Sequence, residues 1–497
     1  MGYGRIVMIG FLTLLLAPFI TAPLAASNGY PYPNPRETGW GPYVGPYVDK
    51  IVLHEIHSKD QQVLALQDGD IDLITDSIDP SRLESIREVD TIEIVNKSTN
   101  SLVAISFNCM KYPYNITALR RAIAIAIDKN ETIRRIQGSG IPLDTCVPSI
   151  NPYSAEGFLD SSYYSSDLAG ARALLTSAGF VDWDEQDGFL EAPDHTELVV
   201  KLEYPFESES AEVVCNAVIE TLLSLNIRAE AVGRSSADYY MKYWMHEDYD
   251  AAFIKVECDG LNIDWLGNEY WSGNSKRDYF NIPNFSNDSY DSYRNHLLFS
   301  MYPDEIYEAA FEMQRIWTFQ CPMVVLYEEI QYIAYRTDKF ENFSTDTIFG
   351  PLSWWTMSGI HLRDELGGPY GGTFRMGVSD LIDTFNPLFS DHWASWQPHS
   401  LMYDSLLRRG PEGEHYPWLA GHLLIETNSD NPKVPTNHTR LTFSLKPSME
   451  WTDNHPITAE DVAYTINLLR ELQNETLPNN LEDLFAAYNI GDSVVVA

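Results

Sequence analysis

The chain has 497 residues, of which 44% are apolar and 21% are charged. This length argues against one small domain and suits two or three lobes with a normal apolar core. The formal net charge of −38 is unfavourable for anionic partners, so nucleic acid and anionic membranes are not expected to bind. The modest charged fraction also argues against a disordered acidic protein. The composition is therefore compatible with a folded, secreted protein of two or three lobes, or with a protein from a moderately salty habitat.

The first 26 residues have the pattern of an export signal. A single arginine, Arg5, precedes an apolar run from Ile6 to Ala26 that ends in small residues. This pattern is typical of a secretory signal, residues 1–26, that is cleaved near its end, and an uncleaved N-terminal anchor is the alternative. Residues 27–48 are rich in Gly, Pro, Tyr and Asn and are predicted to form a linker. We therefore expect an exported protein that is extracellular, at the cell surface or periplasmic.

Asparagine sequons point to the same compartment. Eight N-x-S/T sequons begin at Asn96, Asn115, Asn130, Asn284, Asn287, Asn342, Asn437 and Asn474. Together with an export signal they predict a glycoprotein, as is found outside archaeal cells. The five cysteines lack metal-binding spacing, and their odd number leaves at least one thiol unpaired if any disulfide forms.

The first large part of the chain, residues 49–365, is predicted to alternate strands and helices. A strand from Lys50 to Ile56 precedes a helix from Asp60 to Asp68. Gly69 is well placed just after that helix, where a left-handed residue commonly ends the last turn. The segment about residues 80–88 is predicted to be a second, amphipathic helix.

Further along, one segment has the pattern of a strand, a helix and a parallel strand. The predicted strands are residues 197–203 and 227–232, and the helix between them is residues 211–225. Alternation of this kind predicts a lobe built on a parallel sheet. The sequence YDAAFIKVECDG, residues 249–260, predicts a strand that ends in a loop, which is where α/β proteins bind ligands.

A glycine-rich joint, residues 366–372, precedes the last part of the chain. Within that part, the stretch Leu441–Arg470 predicts a strand, a polar turn and a helix. Thr458 lies just before Glu460 and Asp461, so a hydroxyl group and two acids are placed where the first N–H groups of the helix have no partner. We therefore predict a capped helix that begins at this point.

Three stretches resemble elements of one known family. LTFSLKPSMEWTDNHPITAEDV, residues 441–462, is similar to the "strand, W-x-D-G-x-x-x-T-A-E-D-V, helix" signature of the family 5 solute-binding proteins, the oligopeptide and dipeptide receptors of ABC importers. Residues 107–148 and DLAGARALLTSAGF, residues 167–180, resemble two further family elements. The resemblance implies an α/β, two-lobed periplasmic-binding-protein (Venus flytrap) fold with mixed sheets, of the class with an extended first lobe. Crossing strands would join the lobes.

The order of these elements is unusual. In the family the 441–462 signature lies near the start of the mature protein, whereas here it lies near the end. The resemblance therefore implies that residues 49–365 carry the second-lobe part and residues 373–497 a first-lobe part that is incomplete at its C-terminus. Circular permutation and a fragment of a tandem pair are both open explanations. We expect a permuted receptor, in which the last part folds back onto residues 40–56.

The resemblance also implies candidate ligand contacts. The family's oligopeptide receptors place an Asp for the ligand ammonium after a second-lobe strand, and Asp259 is the better match here, with Asp264 the second choice. The Trp and Tyr that flank this Asp in the family are absent, so peptide selectivity is open, and Asp259 could simply begin a loop. The resemblance and the aromatic content suggest three further contacts, which are Trp265, Asn386 and Trp396. Because aromatic faces also stack on sugars, an oligosaccharide receptor is the alternative.

Metal and catalytic motifs are not recognisable in the sequence. In the acidic loop DWDEQD, residues 182–187, an EF-hand frame fails, because Gln186 takes a ligand position and Pro193 replaces the bidentate Glu. LHEIH, residues 53–57, has the wrong histidine spacing for zinc and reads as a strand. We therefore expect no enzyme, metal or cofactor. The expected function is the substrate-binding component of an ABC importer that takes a peptide between two lobes and delivers it to a membrane permease, and a surface sensor or an exported enzyme is the alternative.

Overall fold

The computed structural model describes residues 45–159, 166–185, 187–258, 260–277, 279–300, 302–382, 384–386, 393–436, 438–474, 487–490 and 493–496. The predicted export signal and most of the linker therefore lie outside the described residues. The chain forms two compact units. Among the described residues, unit 1 comprises those within Met1–Ile78, Ser85–Val95 and Ile333–Ala497, and unit 2 those within Asp79–Glu84 and Asn96–Tyr332.

The described strands and helices alternate through most of the chain. The strands are β1 (Lys50–Glu55), β2 (Leu73–Ile74), β3 (Ile92–Phe107), β4 (Gly140–Pro142), β5 (Val199–Pro205), β6 (Arg228–Arg234), β7 (Ala251–Glu257), β8 (Met323–Arg336), β9 (Phe340–Glu341), β10 (His361–Leu362), β11 (Thr373–Val378), β12 (Leu407–Arg409), β13 (His415–Pro417), β14 (Ala420–Thr427), β15 (Thr439–Leu445), β16 (Ala487–Ile490) and β17 (Ser493–Val496). The α-helices are α1 (Lys59–Asp68), α2 (Leu83–Arg87), α3 (Thr117–Ala126), α4 (Lys129–Arg135), α5 (Leu168–Ser177), α6 (Glu209–Ser224), α7 (Ser236–Tyr240), α8 (Asp264–Glu269), α9 (Asp288–Phe299), α10 (Pro303–Gln320), α11 (Trp354–Gly359), α12 (Trp393–Met402) and α13 (Ala459–Asn474).

Two long strands carry the chain from one unit to the other. The passage into unit 2 falls within β3, between Val95 and Asn96, and the return falls within β8, between Tyr332 and Ile333. These two strands are hydrogen-bonded neighbours. Crossing strands were expected from the family resemblance.

Unit 1 joins two parts of the chain that are distant in sequence in one sheet. Strand β11 pairs in parallel with β1, with Lys50 opposite Thr373, and also in parallel with β2. The side chains of Phe374 and Met376 on β11 are fully buried in the apolar core of this unit. The strand that follows the glycine-rich joint therefore lies beside β1, as the expected fold-back requires.

A second sheet in unit 1 is formed by the last part of the chain. Its order is β14-β15-β17-β16, and it is antiparallel throughout. Helix α13 covers it through Ala459, Ala463 and Ile466, which pack on the buried side chain of Phe443. These three residues recur at intervals of four and three positions, so they share one face of the helix.

Unit 2 is built on a mixed sheet of the order β8-β3-β7-β5-β6. Strands β5 and β6 are parallel along their whole length, as the strand–helix–strand pattern predicted, and β3 and β7 are antiparallel. Successive residues of a strand point to opposite faces. Accordingly Val103 belongs to one buried apolar cluster and its neighbour Leu102 to another. Both faces of this sheet are thus covered.

The predicted helix ends agree with the structure where turn chemistry decides them. Gly69 follows α1 in a left-handed conformation, with φ of 79°, and its N–H donates to carbonyl groups of the last turn. Thr458 and Asp461 form a reciprocal cap: the Asp461 carboxylate accepts from the N–H and hydroxyl of Thr458 at 2.8 and 2.7 Å, and the Asp461 N–H donates to the Thr458 hydroxyl at 3.3 Å. The predicted helix at residues 80–88 is shorter, because residues 80–82 form a 3₁₀ turn before α2.

Replacing Thr458 with alanine should lower the free energy of unfolding by about 1 kcal/mol, because the first N–H groups of α13 lose their side-chain acceptor. Urea denaturation followed by circular dichroism measures the effect. Thr465→Ala is the matched control, because Thr465 is exposed in the interior of the same helix and alanine is favourable there. Equal midpoints for the two variants would contradict the role assigned to this cap.

None of the helices in the described part of the chain is both long enough and apolar enough to span a bilayer.

Candidate functional site

The candidate site lies in unit 2, where β7 ends. The first four residues of β7, Ala251–Ile254, are buried, whereas Lys255 and Glu257 are exposed. An irregular segment follows and leads into the short helix α8 at Asp264. The strand predicted in YDAAFIKVECDG is therefore confirmed, and it ends in a loop as expected.

Asn100 on β3 fastens this loop to the sheet. Its side-chain Nδ2 donates to the backbone carbonyl oxygens of Cys258 and Gly260, both at 2.6 Å. The backbone carbonyl of Asn100 accepts from the Cys258 N–H at 3.0 Å. Because both side-chain partners are carbonyl oxygens, Oδ1 must face away from them. That oxygen is buried and has no donor in the described part of the chain. An unpaired buried acceptor costs about 1–3 kcal/mol, and such local costs are typical of functional segments.

A group of charged and hydroxyl side chains lies on three neighbouring strands beside the loop. Lys255 Nζ is 2.7 Å from Glu329 Oε2 and 3.5 Å from Glu257 Oε1. The Ser101 hydroxyl donates to Glu329 Oε2 at 3.0 Å, and the Thr99 hydroxyl is 2.6 Å from that of Ser101. We call these five residues the strand-end cluster. Its formal charge is −1, from one lysine and two glutamates.

The strand-end cluster replaces the apolar core on one face of the sheet. Ser101 is opposite Glu257 and Val103 is opposite Lys255 in the β3–β7 register, so these side chains share a face. The same face carries Val103 and Phe253 a little further along the strands, both in the buried apolar cluster. A change from apolar to charged residues on one continuous face is the arrangement by which a binding surface orients a polar ligand.

Lys255 is held in its charged form. Burial disfavours its charge, but the carboxylates of Glu329 and Glu257 outweigh burial, so the pKa of Lys255 is raised. Its side chain keeps 44% of its surface exposed, against 26% for Glu329. The pair is therefore formed and shielded in part, yet it can still be reached by a solute.

Glu328, the residue before Glu329 on β8, points to the opposite face, and its carboxylate is enclosed by hydrogen bonds. Glu328 is fully buried, and its carboxylate accepts from the N–H and hydroxyl of Ser149 at 2.7 and 2.6 Å. Glu328 and Glu329 thus differ in role, because one is enclosed by hydrogen bonds and the other forms an accessible ion pair. Only Glu329 belongs to the candidate site.

The ligand residues predicted in unit 2 have different environments. Asp259, the first choice for the ligand ammonium, lies outside the described residues. Asp264 begins α8, and its Oδ1 accepts from Asn262 Nδ2 at 2.5 Å. The Trp265 indole N–H donates to the Asn262 carbonyl at 3.1 Å, and its ring packs against the apolar core. Asp264 and Trp265 therefore meet at Asn262 and shape the loop, and their contact with a ligand stays a prediction.

The other two predicted contacts belong to unit 1. Asn386 is exposed, and its backbone N–H donates to the Thr384 hydroxyl at 3.1 Å. Trp396 lies in helix α12, but its side chain is outside the described part of the structure. Their proposed contact with a ligand also stays a prediction.

A separate polar cavity of about 300 Å³ lies elsewhere in unit 2, beside Lys129, Asp144 and Glu156. Lys129 is buried, and its ammonium donates to the Leu143 carbonyl at 2.6 Å and contacts Asp144. The Glu156 carboxylate accepts hydrogen bonds from the backbone N–H groups of Asp144 and Thr145. Because the Lys129 side chain is only 5% exposed, against 44% for Lys255, the cavity is a weaker candidate than the strand-end cluster.

The acidic loop brings three carboxylates together, those of Asp182, Asp184 and Glu191, with ligand atoms within 4.8 Å of one another. Two of them serve the turn itself. Asp182 accepts from the Glu185 N–H at 2.7 Å, and Glu191 accepts from the Trp183 N–H at 2.6 Å. This grouping is explained by loop geometry, and we assign no ion to it.

The residues that sequence reasoning missed are Lys255, Glu329 and their hydroxyl partners. A signal for half of this set was present: in KVE the two charged residues alternate, so they share one face at the end of β7. Nothing local connects this strand to Glu329, which is more than 70 residues further along the chain. Only the pairing of β3 with both β7 and β8 brings them together.

Two solved structures have a similar fold. An oligopeptide ABC transporter periplasmic oligopeptide-binding protein from Thermotoga maritima matches with a TM-score of 0.53 and 18% identity, over 62% of this chain and 62% of that one. NikA from Brucella suis, in complex with Fe(III)-EDTA, matches with a TM-score of 0.51 and 16% identity, over 62% and 61%. These likenesses confirm the predicted α/β fold of the two-lobed periplasmic-binding-protein class.

A family model matches one part of the chain. Residues 35–278 match the model of the "Bacterial extracellular solute-binding proteins, family 5 Middle". This part of the chain is therefore similar to solute-binding protein family 5, a family of binding proteins, and the resemblance inferred from motifs is confirmed over residues 35–278.

Curated relatives match over short stretches. Probable peptide-binding protein YejA of Agrobacterium fabrum is 30% identical over 106 residues, which are 21% of this chain and 16% of that protein. Peptidoglycan-binding protein YepA of the same organism is 26% identical over 129 residues, 24% of this chain and 20% of that protein. The matched part thus spans a fifth or less of either relative.

Proposed function

We propose that this chain is the extracytoplasmic substrate-binding component of an ABC importer, and that it binds oligopeptides or dipeptides and delivers them to a membrane permease. The family match over residues 35–278 carries this proposal. The name of the relative YejA, a probable peptide-binding protein, points to the same class of ligand.

The chemistry of the strand-end cluster supports a ligand with charged ends. A free peptide carries one ammonium and one carboxylate group, and burying either is tolerable only when it is paired. The cluster offers one cation, Lys255, and two carboxylates, Glu257 and Glu329, on a single face. It can therefore pair both ends of a zwitterion. The proposed action is binding without a chemical step.

The test is to recover a ligand from the protein itself. The exported chain is purified, incubated with a pool of free peptides of two to eight residues, desalted and examined by native mass spectrometry. We expect unchanged peptides bound at one per chain, confirmed by isothermal titration calorimetry. Shortened peptides in the mixture would contradict a binding protein and indicate a hydrolase.

The same assay separates the alternative ligands. Malto- and cello-oligosaccharides are titrated in parallel, and stabilisation by these sugars alone would overturn the peptide proposal. Because the relative YepA is named as a peptidoglycan-binding protein, free cell-wall peptides are included in the pool. Their retention would agree with a peptide receptor and narrow its ligand.

We also propose that the chain is exported and glycosylated, as its N-terminal pattern and sequons suggest. The sequon residues differ in access. Asn115 and Asn130 are exposed, whereas Asn284 is buried and its amide contacts Ser275, Lys276 and Glu247. Glycopeptide mapping of the protein from its native source should find sugar at Asn115 or Asn130, and sugar only at Asn284 would contradict this assignment.

A further inference from the structure

Three properties together distinguish the Lys255–Glu329 ion pair from an ordinary ion pair on the surface. It is short, with Nζ and Oε2 2.7 Å apart, and a second carboxylate, Glu257, lies 3.5 Å from the same ammonium. The hydroxyl that supports Glu329 belongs to Ser101, which is only 1% exposed and fixed in the sheet. The two charged groups themselves keep 44% and 26% of their side-chain surface exposed.

The hydroxyl groups of Ser101 and Thr99 hold Glu329 in place, whereas Lys255 has no such support from them. The Ser101 hydroxyl donates to Oε2, and Thr99 contacts both Ser101 and the Glu329 backbone carbonyl, at 2.6 and 3.3 Å. The Lys255 ammonium contacts the carboxylates of Glu329 and Glu257, and it is carried on a flexible four-carbon stem. A group that enters the cluster can thus displace the lysine ammonium while the Glu329 carboxylate stays in place.

We propose that Lys255 and Glu329 exchange their mutual ion pair for the two ends of a short zwitterionic ligand, with the Glu329 carboxylate taking the ligand ammonium and Lys255 taking the ligand carboxylate. This inference rests on the proposed function and names its specificity residues. Every charge has a partner before and after the exchange, so the large cost of an unpaired, partly buried charge is avoided.

The spacing of the two groups selects for length. An extended chain adds about 3.3–3.6 Å per residue, so the two ends of a dipeptide lie several ångströms apart and those of a pentapeptide much further. Lys255 and Glu329 begin in contact, and the lysine stem provides only a limited reach. Dipeptides are therefore the expected ligands, and longer peptides can engage one of the two groups.

The cluster has more groups that can bind a ligand ammonium than groups that can bind a ligand carboxylate. With Glu257 included, two carboxylates face one ammonium. Blocking the ligand amine should therefore weaken binding more than blocking the ligand carboxylate. A charge-assisted hydrogen bond contributes about 1.5–3 kcal/mol, which corresponds to roughly 10- to 100-fold in affinity.

The experiment is a cycle between ligand caps and protein variants, measured by isothermal titration calorimetry. The ligands are Ala-Ala, its N-acetyl and C-amide forms, and penta-alanine. The variants are Glu329→Gln and Lys255→Met. The matched control is Lys201→Met, which removes the exposed Lys201–Glu230 pair on the neighbouring strands β5 and β6. Circular dichroism shows that each variant is folded.

For the wild type and the Lys201→Met control we expect acetylation of the ligand amine to weaken binding by about 10- to 100-fold. Acetylation of the ligand amine should not weaken binding to Glu329→Gln any further. Amidation of the ligand carboxylate should not weaken binding to Lys255→Met any further. A structural role alone would not produce this coupling between a protein variant and a ligand cap.

Two results would overturn the inference, and they are distinguishable. If the wild type binds Ala-Ala but each variant keeps the full sensitivity to both caps, the ion pair is structural and the proposed function stands. If the wild type binds none of these ligands or the peptides of the pool, the proposed function fails and this inference fails with it.

Discussion

Replacing Arg375 with methionine should lower the free energy of unfolding by about 3–5 kcal/mol, because it leaves a buried carboxylate without its main partner. Asp72 is fully buried. It accepts from the Arg375 backbone N–H, Nε and Nη2 at 2.9, 3.0 and 2.9 Å. Lys339 is the next cation, 3.8 Å away, and is too distant to replace these hydrogen bonds.

Urea denaturation of the purified chain measures this effect. The matched control is Arg315→Met, because Arg315 pairs with Glu312 on the surface of α10, and exposed pairs of this kind contribute at most about 1 kcal/mol. The double variant Asp72→Leu with Arg375→Met should recover part of the loss, since no charge is then left buried. A midpoint for Arg375→Met that equals the control would show that the Asp72 carboxylate finds another partner.

This ion pair also bears on how the two parts of the chain combine. Asp72 precedes β2 near the start of the described chain, and Arg375 lies on β11 after the glycine-rich joint. The two residues are in contact although they lie about 300 positions apart in the sequence. A large loss of stability in Arg375→Met would therefore measure how strongly residues 373–378 are held on the sheet that β1 and β2 begin.

The second large effect is a dependence of stability on pH through Glu269, at the end of α8. Burial raises the pKa of Glu269 from its ordinary 4.5 to about 7. The folded chain therefore keeps the proton over a range in which the unfolded chain loses it. Stability is unaffected below about pH 4.5, falls as the pH rises from 4.5 to 7, and stays lower above that. The total difference is about 3 kcal/mol.

Glu269→Gln should remove this dependence. Near pH 4.5 the variant and the wild type are expected to unfold at the same urea concentration, and at pH 8 the variant should be more stable by up to about 3 kcal/mol. Glu131 provides a contrast of opposite sign, because hydrogen bonds from Arg134 and Arg135 lower its pKa to about 2. If the urea midpoints of Glu269→Gln and of the wild type change in parallel from pH 4.5 to pH 8, the Glu269 carboxyl is solvated and the burial argument is wrong.

Local chemistry explains why several elements could be predicted. The end of α1 at Gly69 and the start of α13 at Thr458 depend on residues within one turn of each other. The parallel β5–β6 pair with α6 between them follows from one continuous pattern. These features involve interactions between near neighbours, so the sequence contains the whole cause.

The candidate site could be predicted only in part. The strand Ala251–Glu257 and the loop after it were predicted, and the loop led to Asp259, Asp264 and Trp265. The geometry instead emphasises Lys255 and Glu329, and it places the Trp265 ring against the core. A strand's charged residues identify the face they share, but not which distant strand will bring the opposite charge.

The sequence by itself indicated the resemblance to the family, through the 441–462, 107–148 and 167–180 motifs, and the last two lie within the region that matches the family model. Such motifs encode caps, turns and packing positions locally. The tertiary structure alone decided that β11 lies between β1 and β2, and that Lys255 meets Glu329. Strand pairing is non-local: its free energy comes from backbone hydrogen bonds and buried area that any apolar strand can offer, so only the complete sheet selects each strand's neighbours.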